Sequence, residues 1–432
     1  MKRVRPVFVA PLLAAALLVP TAPAHAEDHV VGANPVDEVL KHGELVGAVV
    51  TYRSVETEYG ETRTSVTTDH FDTRGRRVLS TEAATDAAGA VVSRREASWV
   101  YDAKGRLVHE AVVSDYDGDG PEPAMTEATD TTFDKLGYAQ QKAVTVDFNG
   151  DGVPEQSETY TFGNDHKGRA VATTAEQDYD GDGVVETVIH EVVDYDARGR
   201  VLRDAATYET PQGEMLGRGE TLNNYDQHGQ VTSTSQSSYA SDGSLLSRDA
   251  TGTTYDVHGN AVTIETVFDE DGMPGTDWRS VVTNTYDGHD RLLTSTQRGY
   301  FGDGSPGGVY ETRYTYAGPG GYVRLEVLAD YDGDGTLEPQ GSLDVTYDRQ
   351  GREVLDVGTS SDGSNRDVWT YDNQGRRTSR VSSWYDAEGT LLSRTTARYS
   401  YPFRSGYTIT TEYDYDADGV PEVTTEESRQ VD

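Results

Sequence analysis

Apolar residues do not run in blocks along this chain. From Ala48 onward Val, Leu, Tyr and Trp recur among Thr, Ser, Glu and Arg, in stretches that a glycine-rich or acidic turn interrupts about every fifteen residues. That pattern predicts β-strands joined by tight turns, with side chains alternating between two faces. One short helix is expected outside it, from Pro35 to His42, with Asn34 as N-cap and Gly43 after its end. His42 reads there as a helix-end cation, because no second His or Cys stands at metal spacing.

Two kinds of turn alternate. The first is an aromatic, then Asp, two variable residues, Gly and often Arg. FDTRGR from Phe71, YDAKGR from Tyr101, YDARGR from Tyr195, YDRQGR from Tyr347 and YDNQGR from Tyr371 are clear copies. Looser ones start at Phe133, Phe162, Tyr225, Tyr255, Tyr286, Tyr316 and Tyr401. Their spacing, mostly near 30 residues, implies about twelve repeats. The Asp can accept backbone N–H bonds within its loop, and the Gly supplies the left-handed conformation that closes a type I turn with a bulge. Tyr101 should then face Leu107, and Tyr195 should face Val201. His228, His258 and His289 occupy variable turn positions and read as solvated.

Midway between the aromatic turns lie acidic or glycine turns, among them Asp86 to Gly89, Asp242-Gly243 and Asp386 to Gly389. In an antiparallel meander successive turns fall at opposite ends of the strands, so each class should line its own rim. The fold expected is all-β: about twelve two-strand repeats of about 30 residues in a continuous antiparallel meander. Strand twist argues against a flat sheet of this width, so the meander should coil. A six-bladed propeller is the alternative, though the 60-residue superperiod it would show is missing. An outer-membrane barrel is disfavoured, because Thr, Ser, Glu and Arg fall on both strand faces. The boundaries expected are residues 1–26 as a signal peptide, 27–49 as an N-terminal segment with the capping helix, and 50–432 as the repeats.

Five of the acidic turns carry recognisable chemistry. Asp178 to Glu186 reads DYDGDGVVE, with carboxylates at positions one, three, five and nine and Gly183 at the sixth. Such a loop can enclose a hard cation: Asp178, Asp180, Asp182 and Glu186 by side chain, Val184 by its carbonyl. The same spacing gives Asp147, Asn149, Asp151, Val153 and Glu155; Asp330, Asp332, Asp334, Thr336 and Glu338; and Asp414, Asp416, Asp418, Val420 and Glu422. A loop one residue shorter holds Asp115, Asp117, Asp119 and Glu122. Acid and glycine clusters commonly serve as solvated turns, but three or four carboxylates within nine residues repel one another unless a dication joins them. Calcium is the ion expected. An EF-hand is disfavoured, since the twelfth residues are Thr126, Glu158, Ile189, Gly341 and Thr425 and the flanks are strand-like.

Charge and the N-terminus place these loops. Lys2, Arg3 and Arg5 precede an apolar run from Val7 to Val19 and the small-residue site Ala24-His25-Ala26, which reads as a secretory signal peptide cleaved after Ala26. No later stretch is apolar and long enough to span a bilayer as a helix. The net charge of -37 makes nucleic acid and anionic lipid poor partners. Cysteine is absent, so neither disulfides nor a lipidated Cys enter the argument.

The YDxxGR turns resemble those of the Rhs or YD-repeat family, whose repeats build a spiralling β-sheet shell, often around a C-terminal cargo or toxin. This resemblance spans most of residues 50–400. No toxin function is expected here, since no cargo domain follows the repeats. The acidic loops are similar to the calcium loops of integrin-type FG-GAP and VCBS repeats. That implies the same ligand roles for Asp147, Asn149, Asp151 and Glu155, and for Asp178, Asp180, Asp182 and Glu186.

Every candidate functional residue belongs to a repeat, whereas an enzyme calls for a non-repeated set. The function expected is therefore non-catalytic: a secreted calcium-binding repeat protein in cell-surface or extracellular binding, its partner a glycan or a protein. An envelope scaffold or a toxin-free shell is the alternative, and a glycan-active enzyme comes last, because paired carboxylates are plentiful.

Overall fold

The computed structural model describes residues 47–58, 61–116, 125–269, 277–317, 321–331, 333–403 and 406–431. The expected signal peptide and the helix at Pro35 to His42 lie outside them. No helix occurs among the described residues. Twenty-six strands, from β1 (Val49–Glu58) to β26 (Val423–Val431), form one sheet in which each strand pairs antiparallel with the next.

The sheet closes. β1 pairs with β26 as well as with β2 (Glu61–Phe71), from Val50 opposite Val431 to Glu58 opposite Val423. This one pairing corrects both the coiled open sheet and the propeller: the protein is a closed 26-stranded barrel of thirteen hairpins. An open meander would have left two long unpaired edges, and closure removes both.

Following paired residues once around the wall returns to β1 displaced by about 26 residues, so the shear number matches the strand number. A barrel with that equality tilts its strands by about 36°. With strands about 4.4–4.8 Å apart, the wall is about 46 Å across, and a strand of ten residues climbs about 27 Å along the axis. Side chains cannot fill such a lumen.

Packing agrees with a wall one sheet thick. The buried apolar residues are mostly alanines spread around the ring, and Val50 is the one large side chain fully buried among the described residues. A small cluster of Ala397, Tyr407 and Ile409, joined by Tyr399 and Tyr401, sits beside the seam on β24 (Leu391–Phe403) and β25 (Gly406–Asp414). The ladder and the rims therefore carry the stability that a core would supply elsewhere.

The two turn classes occupy opposite rims, as the alternation predicted. At the aromatic rim Tyr101 pairs with Leu107 and Tyr195 with Val201, each next to a bulge. Asp72 shows how the turn is built: its Oδ1 accepts the N–H groups of Arg74 (2.7 Å) and Arg76 (3.1 Å), and its Oδ2 meets Arg76 Nη2 at 2.6 Å. These hydrogen bonds, that of the Arg76 side chain first, hold the Asp72 carboxyl down at about 2. The arginine then reaches the next repeat. Arg76 lies 4.2 Å from the Tyr101 ring centroid, Arg200 4.3 Å from Tyr225, and Arg376 4.3 Å from Tyr401. Each tyrosine reaches back in turn, Tyr225 Oη donating to the Val201 carbonyl at 2.9 Å and Tyr401 Oη to that of Arg377 at 3.0 Å. Neighbouring turns are thus stapled in series around the rim.

Candidate metal loops

The acidic loops hang between β5 (Leu107–Asp115) and β6 (Met125–Phe133), β7 (Ala139–Asp147) and β8 (Gln156–Asn164), β9 (Ala170–Asp178) and β10 (Thr187–Tyr195), β19 (Tyr322–Asp330) and β20 (Glu338–Tyr347), and β25 and β26. In each, the first Asp is the last residue of the incoming strand, and all five are buried. The chain wraps around that carboxylate. Asp178 Oδ1 accepts the Gly181 N–H at 2.7 Å and its Oδ2 that of Gly183 at 3.0 Å, with both glycines at positive φ. Asp180 Oδ1 accepts the Asp182 N–H, Asp182 Oδ1 that of Val184, and Glu186 Oε2 reaches across to the Tyr179 N–H at 2.8 Å.

This winding gathers Asp178, Asp180, Asp182 and Glu186 so that one ligand atom from each lies within 4.8 Å of every other. Asp414, Asp416, Asp418 and Glu422 meet the same limit, as do Asp147, Asp151 and Glu155. Opposite oxygens in a calcium coordination sphere stand about 4.6–5.2 Å apart, twice a bond of about 2.3–2.6 Å, so the clusters fit that ion. Asn149 turns its amide differently from expectation: its Nδ2 donates to Glu155 and its Oδ1 accepts the Asp151 N–H. Val153, Val184 and Val420 each donate an N–H to the fifth-position Asp, with their side chains exposed.

Two loops are less complete. Asp330 is wrapped like the others, by the Gly333 and Gly335 N–H groups, and Asp334 Oδ1 accepts the Thr336 N–H. Glu338 instead opens β20 opposite Ala329 and does not converge with Asp330 and Asp334; Asp332 lies outside the described residues. Asp115 is buried at the end of β5, while Asp117, Asp119 and Glu122 lie outside the described residues.

Asp414 offers a separate test of whether a cation fits these loops. Its Oδ2 accepts the Gly419 N–H at 3.0 Å, but its Oδ1 is buried without any hydrogen bond. In the other described loops the fourth-position glycine fills that role, Gly150, Gly181 or Gly333 donating at 2.6–2.7 Å. Ala417 stands there instead, at φ 60°. A buried carboxylate oxygen left without a donor is costly, and a cation in the loop would satisfy it.

Adjacent loops also touch. A Cβ on Gly181, already at φ 71°, would stand 2.4 Å from the Pro154 carbonyl oxygen and 2.6 Å from Glu155 Cα in the preceding loop. Gly181→Ala is therefore expected to cost about 2 kcal/mol by urea unfolding and to weaken calcium binding in both loops, whereas Gly183→Ala, with open space around its Cβ, carries only the backbone strain.

One carboxylate pair stands away from this rim. Asp356 on β21 (Glu353–Ser360) faces Asp367 on β22 (Gly363–Tyr371), and Arg380 Nε donates to Asp367 Oδ1 at 3.0 Å. Burial first, then the charges of Asp367 and Glu353, push the Asp356 carboxyl up to about 6. The arginine pairs with Asp367, and Asp356 keeps its proton only up to about pH 6, an arrangement held within the wall. A raised carboxyl contributes stability that is complete below its ordinary value of 3.8 and is lost as pH rises through about 6. Asp356→Asn should thus raise stability by about 1 kcal/mol at pH 7.5, the half-exposed site reducing the full shift, and by nothing at pH 4. Urea unfolding at the two pH values measures this.

No protein-family model matches the chain, and neither does any curated protein. Among solved structures, a porin-like protein from Bacteroides uniformis ATCC 8492 aligns over 90% of this chain and 97% of its own at 10% identity, with a TM-score of 0.18. A porin-like protein from Bacteroides vulgatus ATCC 8482 aligns over 59% and 94% at 14% identity, with a TM-score of 0.24. The TcdB2-TccC3 structure aligns over 86% of this chain at 10% identity and a TM-score of 0.14, and the match spans only 34% of that longer chain.

Proposed function

We propose that this protein is a secreted, calcium-binding β-barrel that acts by binding at the cell exterior rather than by catalysis. One observation supports the reading: three loops on one rim gather their carboxylate oxygens within 4.8 Å, and in one of them a buried oxygen has no hydrogen-bond partner. Secretion rests on the N-terminal sequence, and it would bring the loops to millimolar calcium, where extracellular sites of this kind operate. Kinship with YD-repeat shells rests on the turns alone. The partner class is a glycan or a cell-surface protein, met by a long repeated surface with many tyrosines. Whole-cell and glycan-array binding with and without calcium tests this. Calcium-dependent retention supports it; turnover of a polysaccharide or peptide, abolished by one substitution outside the loops, defeats it.

A transmembrane pore is the second reading, favoured by closure and by a wall height near that of a bilayer core. Against it, Arg94, Arg95 and Glu96 are consecutive on β4 (Val91–Tyr101) and all exposed, so charge stands on both faces of the wall. A lipid-facing surface does not tolerate that. Purified protein is expected to stay in the aqueous phase in a liposome flotation assay; co-flotation with dye release would reverse the order of the two readings.

A further inference from the structure

The repeat is broken at one place, the seam where β1 closes on β26, and a cavity of about 410 Å³ lies there. Its wall includes Tyr52 and Arg53 of β1, Asp69 of β2, Arg77 of β3 (Arg77–Thr85), Tyr407 of β25 and Glu427 of β26. Among the described residues this combination occurs only here, since most wall residues come from the first two and last two strands, which meet only through closure. The set is non-repeated, unlike the metal loops and the aromatic turns.

Two polar atoms at the seam lack partners. Asp69 is 6% exposed, and its Oδ1 is buried without a hydrogen bond, while its Oδ2 stands 3.5 Å from Arg77 Nη1. Arg429 is 7% exposed, and its Nε is likewise buried without an acceptor. The ladder sets them around one ring: Arg429 is opposite both Tyr52 and Tyr407, and Asp69 is two residues beyond Thr67, which faces Tyr52 across β1 and β2. By the period of two, Tyr52, Asp69, Tyr407 and Arg429 share one face of the sheet. The Arg429 guanidinium lies 5.3 Å from the Tyr52 ring centroid.

This wall selects by chemistry. On the face that carries Asp69 the charges balance, Arg77 and Arg429 against Asp69 and Glu427, while Arg53 points to the other face and pairs with Glu426, so a net charge on a ligand gains nothing. What remains unmet in the lining is one acceptor, Asp69 Oδ1, which a hydroxyl group can satisfy, and behind the lining on the same face stands one unmet donor, Arg429 Nε. Tyrosine rings beside them offer apolar faces to C–H groups. We propose that the seam cavity binds a neutral polyhydroxylated molecule, one or two sugar units in size. This site is independent of the calcium loops, which lie on the opposite rim from Asp69, Tyr407 and Arg429.

Saturation-transfer NMR on the full-length protein tests the assignment, with glucose, galactose, N-acetylglucosamine and maltose as probes and glycine as a zwitterionic control. A linear trisaccharide separates a free sugar from the end of a longer glycan. At least one sugar should receive saturation at millimolar concentration, equally in calcium and in chelator and in Asp182→Ala. Asp69→Asn should weaken that binding about 10-fold or more. Ser54→Trp, which fills the cavity from its lining, should abolish it and provides a second test should Asp69→Asn fold poorly. The proposal is overturned if no sugar responds, if glycine responds while sugars do not, or if the cavity-filling variant still binds. Sugar binding lost in chelator would move the site to the calcium rim and also overturn it.

Discussion

In about 1 mM calcium the protein should unfold roughly 5 °C or more above its midpoint in chelator. Each loop that gathers its carboxylates must hold like charges together when empty. At a dissociation constant of about 0.1 mM one site contributes about 1.4 kcal/mol, and the three converged loops about 4 kcal/mol. The size of the unfolding entropy for a barrel of this length converts that sum to about 5 °C, and two further loops would add to it. Neighbouring loops share contacts through Gly181, so the sites should depart from simple additivity. Asp182→Ala removes the fifth-position ligand from a four-carboxylate loop. It should lower the midpoint by about 2 °C in calcium and leave it unchanged in chelator, where both proteins are empty.

The second large effect is expected at the seam. Val50 is 0% exposed, pairs with Val431 across the closure, and stands beside the buried Asp69 in the ladder. Val50→Glu would bury a second carboxylate there, at a cost of about 3–5 kcal/mol. Val50→Ala removes only packing, at about 2 kcal/mol. The charged variant should open the barrel: small-angle scattering should give a larger radius and a less closed cross-section, and two freed edges should promote association. The alanine variant should stay closed. A closed profile for both variants, with equal stability, would mean that the seam is not held by this strand pair.

How much of this was legible beforehand differs between turns and topology. The aromatic turn is local, so YDAKGR and YDARGR disclosed their hydrogen bonds, their bulges and even the pairs Tyr101–Leu107 and Tyr195–Val201. The winding of Asp178 to Glu186 was equally local. Closure was not, because the register of β1 against β26 joins residues nearly 400 apart and neither strand carries a marker for the other. The small drift of register per hairpin, which adds up to the strand tilt, cannot be read from spacing either. Glu338 shows the limit of a motif: the ninth position matches, yet that residue has already entered the ladder opposite Ala329. The cross-repeat arginine contacts were also missed, although the signal was present in the regular return of Arg two residues past the variable pair.

Native mass spectrometry of the protein equilibrated with calcium counts the ions directly. At least three calcium ions should remain bound per chain, up to five with the loops at Asp115 and Asp330. Asp182→Ala should hold one fewer, and chelator should remove them all. A chain that carries no calcium, or a variant with an unchanged count, would contradict the assignment of these loops as metal sites.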